Sequence, residues 1–381
     1  MERRAPRPQA VLAALPLLLL VPVLAGCEDQ KEKTSAADAG AQDAGANQAL
    51  LGGKLGEAVA AAAAPGATGA PTGRAAAGGV EGAPPENGIM GPVAADKAHP
   101  RGAPPKLEVL AEGSEPRVSL APKLAAGAEQ KLTFTVTRSQ MPLTLDIAIT
   151  FKIDKAKDDK KKADAKKDAP AAAAGPPGAL PVVGKITGAG VTAQVEVPEN
   201  ITKAVTTLKG SQIRFFVGPD GTTHDFTREL AKDADKDLDN ELEAIIETFS
   251  TVLAPVPQKP VGVGAYWMVT DRGKTLGAEM VRYRVFRLLS AGAEGTKLAV
   301  ELRQYSTEPN LNVPTQQGGM TALALDKFDS QGKGEVTWGP SGFLPSAAEV
   351  QAQTQALAIP PGQPNRRAQI QAGSQLKIKS D

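Results

Sequence analysis

Chemistry in this chain would have to come from one thiol, two histidines and 42 carboxylates, set against 43 lysines and arginines. Cys27 is the sole cysteine, so the chain cannot form an internal disulfide or a Cys-based zinc or iron–sulfur site. His224 stands beside Asp225 in a segment that reads as strand, where neighbouring side chains point to opposite faces. His99 lies far from it in a tract rich in Ala, Gly and Pro. With no second histidine in the folded part and no GxSxG stretch, a serine or cysteine nucleophile would lack its base. The expectation is that the chain is not an enzyme. A site built from a carboxylate pair is the alternative, because many such pairs are available.

Several short motifs come close to known chemistry and stop. Asp233-x-Asp235-x-Asp237 begins like a calcium loop, which requires Gly at its sixth position and Glu at its twelfth. Those positions hold Leu238 and Ala244, so the three acids read as the charged start of a helix. Gly262-Val-Gly264 lacks the third glycine of a dinucleotide loop, where Trp267 stands, and leads into a strand. Gly273-Lys274-Thr275 ends like a phosphate loop, but the earlier glycine is Met268. Ser374-x-x-Lys377 has no KTG or SDN partner. Pro255-x-Pro257-x-x-Pro260 reads as a stiff connector. No cofactor, catalytic residue or metal ligand is expected.

The N-terminus differs in kind. Arg3, Arg4 and Arg7 precede fifteen uncharged residues, Ala10 to Leu24, which include Pro16 and Pro22. A basic start, a short apolar run and small residues after it form an export signal. The run is shorter than the roughly 20 residues that span a bilayer. Removing residues 1–26 leaves 40 basic and 41 acidic residues, with no basic excess to attract nucleic acid.

The run closes on Leu24-Ala25-Gly26-Cys27. This tetrad resembles the lipobox of bacterial lipoproteins at all four positions. The resemblance implies that the Cys27 thiol takes a diacylglycerol, that the chain is cut before Cys27, and that the new amine is often acylated, palmitate being a usual chain. Each buried methylene contributes about 0.8 kcal/mol, so two or more acyl chains hold a protein on a membrane without a spanning helix. The expected location is the cell membrane or the outer membrane, lipid-anchored on the exported side, with the membrane as partner through Cys27.

Residues 27–104 read as a tether. Of the 77 residues from Glu28 to Pro104, 44 are Ala, Gly or Pro and none is aromatic. Such a segment cannot bury enough apolar area to offset the entropy of ordering, so disorder is expected.

Every aromatic residue falls between Phe134 and Phe343, which places the folded domain within 105–381. "KLTFTVTRS" and "PLTLDIAITFKID" alternate apolar and polar residues at period two. A charge-balanced low-complexity insert, 154–179, separates them from "ITGAGVTAQVEVP", another strand. "SQIRFFVGPDGTTHDF" reads as a hairpin turning at Gly218–Gly221. Leu238, Leu242, Ile245, Ile246, Phe249, Val252 and Leu253 form one apolar stripe of a long helix that Pro255 ends. Further strands follow, with Met280, Arg282, Arg284, Phe286 and Leu288 sharing one face; residues 347–368 show no clear pattern.

These elements predict an α+β fold: a mainly antiparallel curved sheet or half-barrel with one long helix packed on it. The layout loosely resembles the half-barrels of envelope lipoproteins and lipoprotein carriers. It is also similar to uncharacterised lipoprotein domains in which a "PVGVGAYW"-like segment follows a helix. The half-barrel likeness implies an apolar or lipid ligand held between sheet and helix. The alternative is a structural or protein-interaction module, displayed from the membrane, whose partner is an envelope protein.

Overall fold

The computed structural model describes residues 84–139, 141–154, 176–193, 196–253, 255–275, 277–314 and 320–381. In chain order the elements are α1 (Gly91–Ala98), β1 (Lys106–Ala111), β2 (Glu129–Arg138), β3 (Met141–Ile153), β4 (Leu180–Ala193) and α2 (Glu199–Thr206). Then come β5 (Gln212–Val217), β6 (Thr223–Glu229), α3 (Asp239–Ser250), β7 (Tyr266–Thr275), β8 (Ala278–Gly292) and β9 (Gly295–Ser306). The last four are β10 (Asn310–Pro314), β11 (Met320–Trp338), β12 (Ala347–Ile359) and β13 (Ala368–Ser380).

The expected α+β class with one long helix is corrected. The described chain is mostly β: thirteen strands form one antiparallel sheet, and the three α-helices are short, at 8, 8 and 12 residues. The apolar stripe from Leu238 to Leu253 does not run as one helix. Lys236–Leu238 is a 3-10 turn, capped by the Asp235 side chain on the Asp237 N–H. The α-helix ends at Ser250, and Val252 and Leu253 reach the core from the turn that follows. The patternless region 347–368 contains all of β12, whose inward positions Ala348, Ala356 and Ala358 are small, so its alternation is faint.

The strand order is β1-β7-β8-β9-β11-β12-β13-β2-β3-β4-β5-β6, with β10 pairing the first part of β11. Alternation builds the inner face: Leu132, Phe134 and Val136 of β2 are buried while the intervening threonines are not. The sheet must curl. Strands β8 and β5 are eight steps apart in that order, about 38 Å across a flat sheet at ~4.8 Å per step. Yet Phe249 of α3 packs 6.5 Å from Phe215 of β5, and Arg284 of β8 donates to the carbonyl of Ser250, the next residue, at 2.7 Å.

The tether boundary drawn at 104 also moves. Ile89 bridges Ser306, the Met90 N–H donates to Ser306 O, and the Phe328 N–H donates to Asn87 O. Helix α1 then covers the outer face of β7–β9, where Ala95 packs with Met268, Val281, Tyr283 and Tyr305. Gly88 makes this strap possible: its φ is +76°, and a Cβ there would fall 1.7 Å from Phe328 O. Strands β3 and β4 pair as neighbours across the low-complexity insert, of which 155–175 lie outside the described residues.

Candidate functional site

Helix α3 sits in the concave face of the sheet. Its spacing turns Leu242, Ile245 and Phe249 inward, each no more than 1% exposed. The Phe249 ring meets Phe134 edge-on at 5.0 Å, stacks on Phe151 at 5.7 Å and meets Phe215 at 6.5 Å. Three strands and the helix thus share one aromatic cluster, and side chains occupy the space between sheet and helix.

Charged groups fasten both ends of this plug. At the N-terminal end, Arg228 of β6 donates two bonds to Asp239, at 2.8 and 2.7 Å, and one to Glu243 at 3.2 Å. Across the helix, Lys274 of β7 donates to Glu243 at 2.6 Å, and its backbone N–H donates to Glu247. Glu241 faces inward at 5% exposure. Arg138 Nη1 donates to its Oε1 at 3.2 Å, while Nη2 lies 3.1 Å from Oε2 without the alignment of a hydrogen bond. Burial raises the Glu241 pKa above its usual value, and the Arg138 charge opposes that rise only in part.

The C-terminal end is held by a buried triad. The last carbonyls of a helix have no partner within it. Arg284 Nη1 supplies one, donating to Ser250 O at 2.7 Å, Leu253 O at 2.8 Å and Thr251 O at 3.3 Å. Its Nη2 donates to Asp271 at 2.6 Å. Arg282 grips the same carboxylate through two bonds, at 2.8 and 2.9 Å, and reaches the Ser250 hydroxyl at 2.7 Å. All three residues are at most 5% exposed. Burial alone would raise the Asp271 pKa, but the charges of Arg282 and Arg284 outweigh it and hold the carboxylate low. Burial lowers the Arg284 pKa to about 10, and Arg282 adds to that effect. Beside the triad runs a polar row on the inner face: Gln304 Oε1 accepts from Thr275 and Ser330, and Ser330 shares a 2.8 Å contact with Thr354.

A cavity of about 320 Å³ opens beyond the C-terminal end of α3. The β8–β9 turn, the β11–β12 loop and the segment 119–123 frame it, and Leu253, Val256, Leu298 and Phe343 form buried walls. Among the described residues no carboxylate lines it, and Lys123 is the one charged residue that does.

No model of a known protein family matches this chain, and a comparison with curated proteins found no match.

The lipobox residues Leu24, Ala25, Gly26 and Cys27 lie outside the described residues. His99 is buried where α1 ends, near β7, with its Nε2 3.2 Å from Ala103 O. His224 is in β6, at the far end of the strand order, so the two histidines do not meet. Asp225 beside it has a φ of +54°, a local twist rather than regular strand. Asp233, Asp235 and Asp237 are exposed and belong to the turn leading into α3. Among the described residues no three His, Cys, Asp or Glu converge as metal ligands. The Gly262-Val-Gly264 loop is pinned to residues 112–114 by backbone bonds. Gly273–Thr275 lies in β7, and Ser374 and Lys377 lie in β13. Among the described residues no helix is long and apolar enough to cross a membrane.

Sequence reasoning placed Arg282 and Arg284 on one face with Met280, Phe286 and Leu288 but missed their role. The available signal was two cations on an otherwise apolar face, which demand a buried acid; Asp271, in the apolar strand "YWMVTDRG", is that acid.

Proposed function

We propose that this chain is a lipid-anchored envelope lipoprotein that holds a plugged β domain off the membrane as a structural or protein-interaction module. One observation carries the choice: Phe249 and its three phenylalanine neighbours fill the concavity in which a ligand under the helix would sit. Ion pairs from β2, β6, β7 and β8 to the helix support the same reading, since a helix that swings aside to admit lipid would have to break them. The anchor rests on Leu24-Ala25-Gly26-Cys27 and the signal before it. The buried acids Asp271 and Glu241 are bound to arginines and line no opening described above, so no catalytic role is assigned to them.

Hydrogen exchange on the acylated full chain in lipid-free detergent micelles tests the module reading. Amides of Leu242 to Phe249 should exchange as slowly as those of β2 and β3, with or without added phospholipid. Fast exchange there that slows on adding lipid would instead favour a ligand carried beneath α3.

A further inference from the structure

The cavity beyond α3 is separate from the filled space beneath it and needs no movement of the plug. Its inner wall is apolar: Leu253 and Leu298 are 4% and 0% exposed, with Val256 and Phe343 beside them. Trp338 and Leu120 extend that wall outward as half-buried residues. Its volume, about 320 Å³, falls at the lower end of the roughly 300–1,000 Å³ of small-molecule sites. The rim has a different character. Lys123 is exposed, makes no ion pair with a described residue, and shares a lining in which no described residue is an acid. Ser119 and the turn glycines Gly292, Gly295, Gly339 and Gly342 belong to the same lining. A pocket with an apolar inner wall, a polar rim and a single cation at its mouth selects a molecule with one slender apolar tail and one anionic head.

We propose that this cavity binds a single-chain carboxylate amphiphile, with its tail against Leu253, Leu298 and Phe343 and its carboxylate at Lys123. A two-chain lipid has twice the tail to bury and exceeds so small a space. A cationic amphiphile would set like charges together at the rim. This site does not depend on the display reading above: it would stand if α3 were mobile, and it can fail while α3 stays fixed.

The test uses the acylated full chain in phosphatidylcholine nanodiscs and a dodecanoate bearing a diazirine at the tail end. After irradiation, cross-linked peptides are mapped by mass spectrometry. Label is expected on residues 253–256, 296–298 and 338–343. Ala293→Trp, at an exposed position in the β8–β9 turn, fills the mouth and should abolish that label. Lys123→Glu, also exposed, should cut carboxylate labelling about fivefold and leave a dodecanol diazirine probe unchanged. Within a series of unlabelled alkanoates, each methylene should lower the competing free concentration about fourfold until the pocket is full. The proposal is overturned by label that is scattered over the sheet, that persists in Ala293→Trp, that ignores Lys123→Glu, or that a diazirine phospholipid reproduces at equal strength.

Discussion

Replacing Arg284 by Met keeps the length of the stem and removes the guanidinium. Three things change at once. The carbonyls of Ser250, Thr251 and Leu253 lose their donor in a site where water does not reach freely, since Arg284 is 2% exposed. Asp271 loses one of its two cations while remaining buried. The end of α3 loses its tie to β8. Breaking a buried ion pair from one side costs about 3–5 kcal/mol, and unsatisfied buried carbonyls add about 1–3 kcal/mol each. Arg282 keeps Asp271 partly paired, which places the expected loss near 4 kcal/mol. For a domain of this size that is a fall in Tm of roughly 8–16 °C. The assay is urea unfolding of the full chain followed by tryptophan emission, because Trp267 packs on Phe286 and donates to Pro255 O close to this end of the helix. Arg284→Met combined with Asp271→Asn should lose less than the sum of the two single losses, since the second change removes the stranded charge. A loss under 0.5 kcal/mol in Arg284→Met, or strict additivity in the pair, would refute the view that this triad holds the plug.

Phe249→Ala empties the centre of the aromatic cluster and should cost about 3–5 kcal/mol by the same unfolding measurement; a near-neutral result would mean that the helix does not fill the concavity. Gly88→Ala cannot keep both its φ of +76° and its approach to Phe328 O, so the strap should loosen, and trypsin should cut faster at Lys97 or Arg101 while the sheet stays intact. Two buried acids impose opposite pH dependences. The folded-state pKa of Asp271 is lowered, so its contribution is present above its ordinary value of 3.8 and is lost as pH falls through the depressed folded value. Glu241 is raised, so its contribution is fully present below its ordinary value of 4.5 and is lost as pH rises through the elevated folded value. Glu241→Gln should therefore flatten the decline of stability on the alkaline side of 4.5 and leave the acid decline in place, as read from unfolding midpoints across pH 3–8.

The sequence made the strands legible where one face is greasy and the other is Thr or Lys, as in β2 and β3. It made β12 illegible because its inward positions are mostly small, Ala348, Ala356 and Ala358, and carry little apolar bulk to mark the buried face. The helix was placed correctly in register but read too long: the residues that extend its stripe, Leu238 and Val252, reach the same core from a 3-10 turn and from the turn after Ser250. Periodicity cannot separate these cases, because a turn entering or leaving a helix can aim its side chain at the same core. The strap 84–104 was read as part of the tether because Ala, Gly and Pro dominate it. What orders it is docking on strands over 160 residues away in the chain, at Ser306, Tyr305 and Val281, a long-range contact without a local signature. For the same reason the cavity beyond α3 could not be anticipated: its walls come from five separated stretches of chain that meet only in the folded sheet.

Acyl chains on Cys27 hold the domain to its membrane in the proposed arrangement. Intact mass of the full-length gene product, extracted from the membrane fraction, reads this directly. The expected species begins at Cys27 and carries the added mass of a diacylglycerol thioether, with or without a third acyl chain. A species that begins at Met1, or at Cys27 with an unmodified thiol, would contradict it.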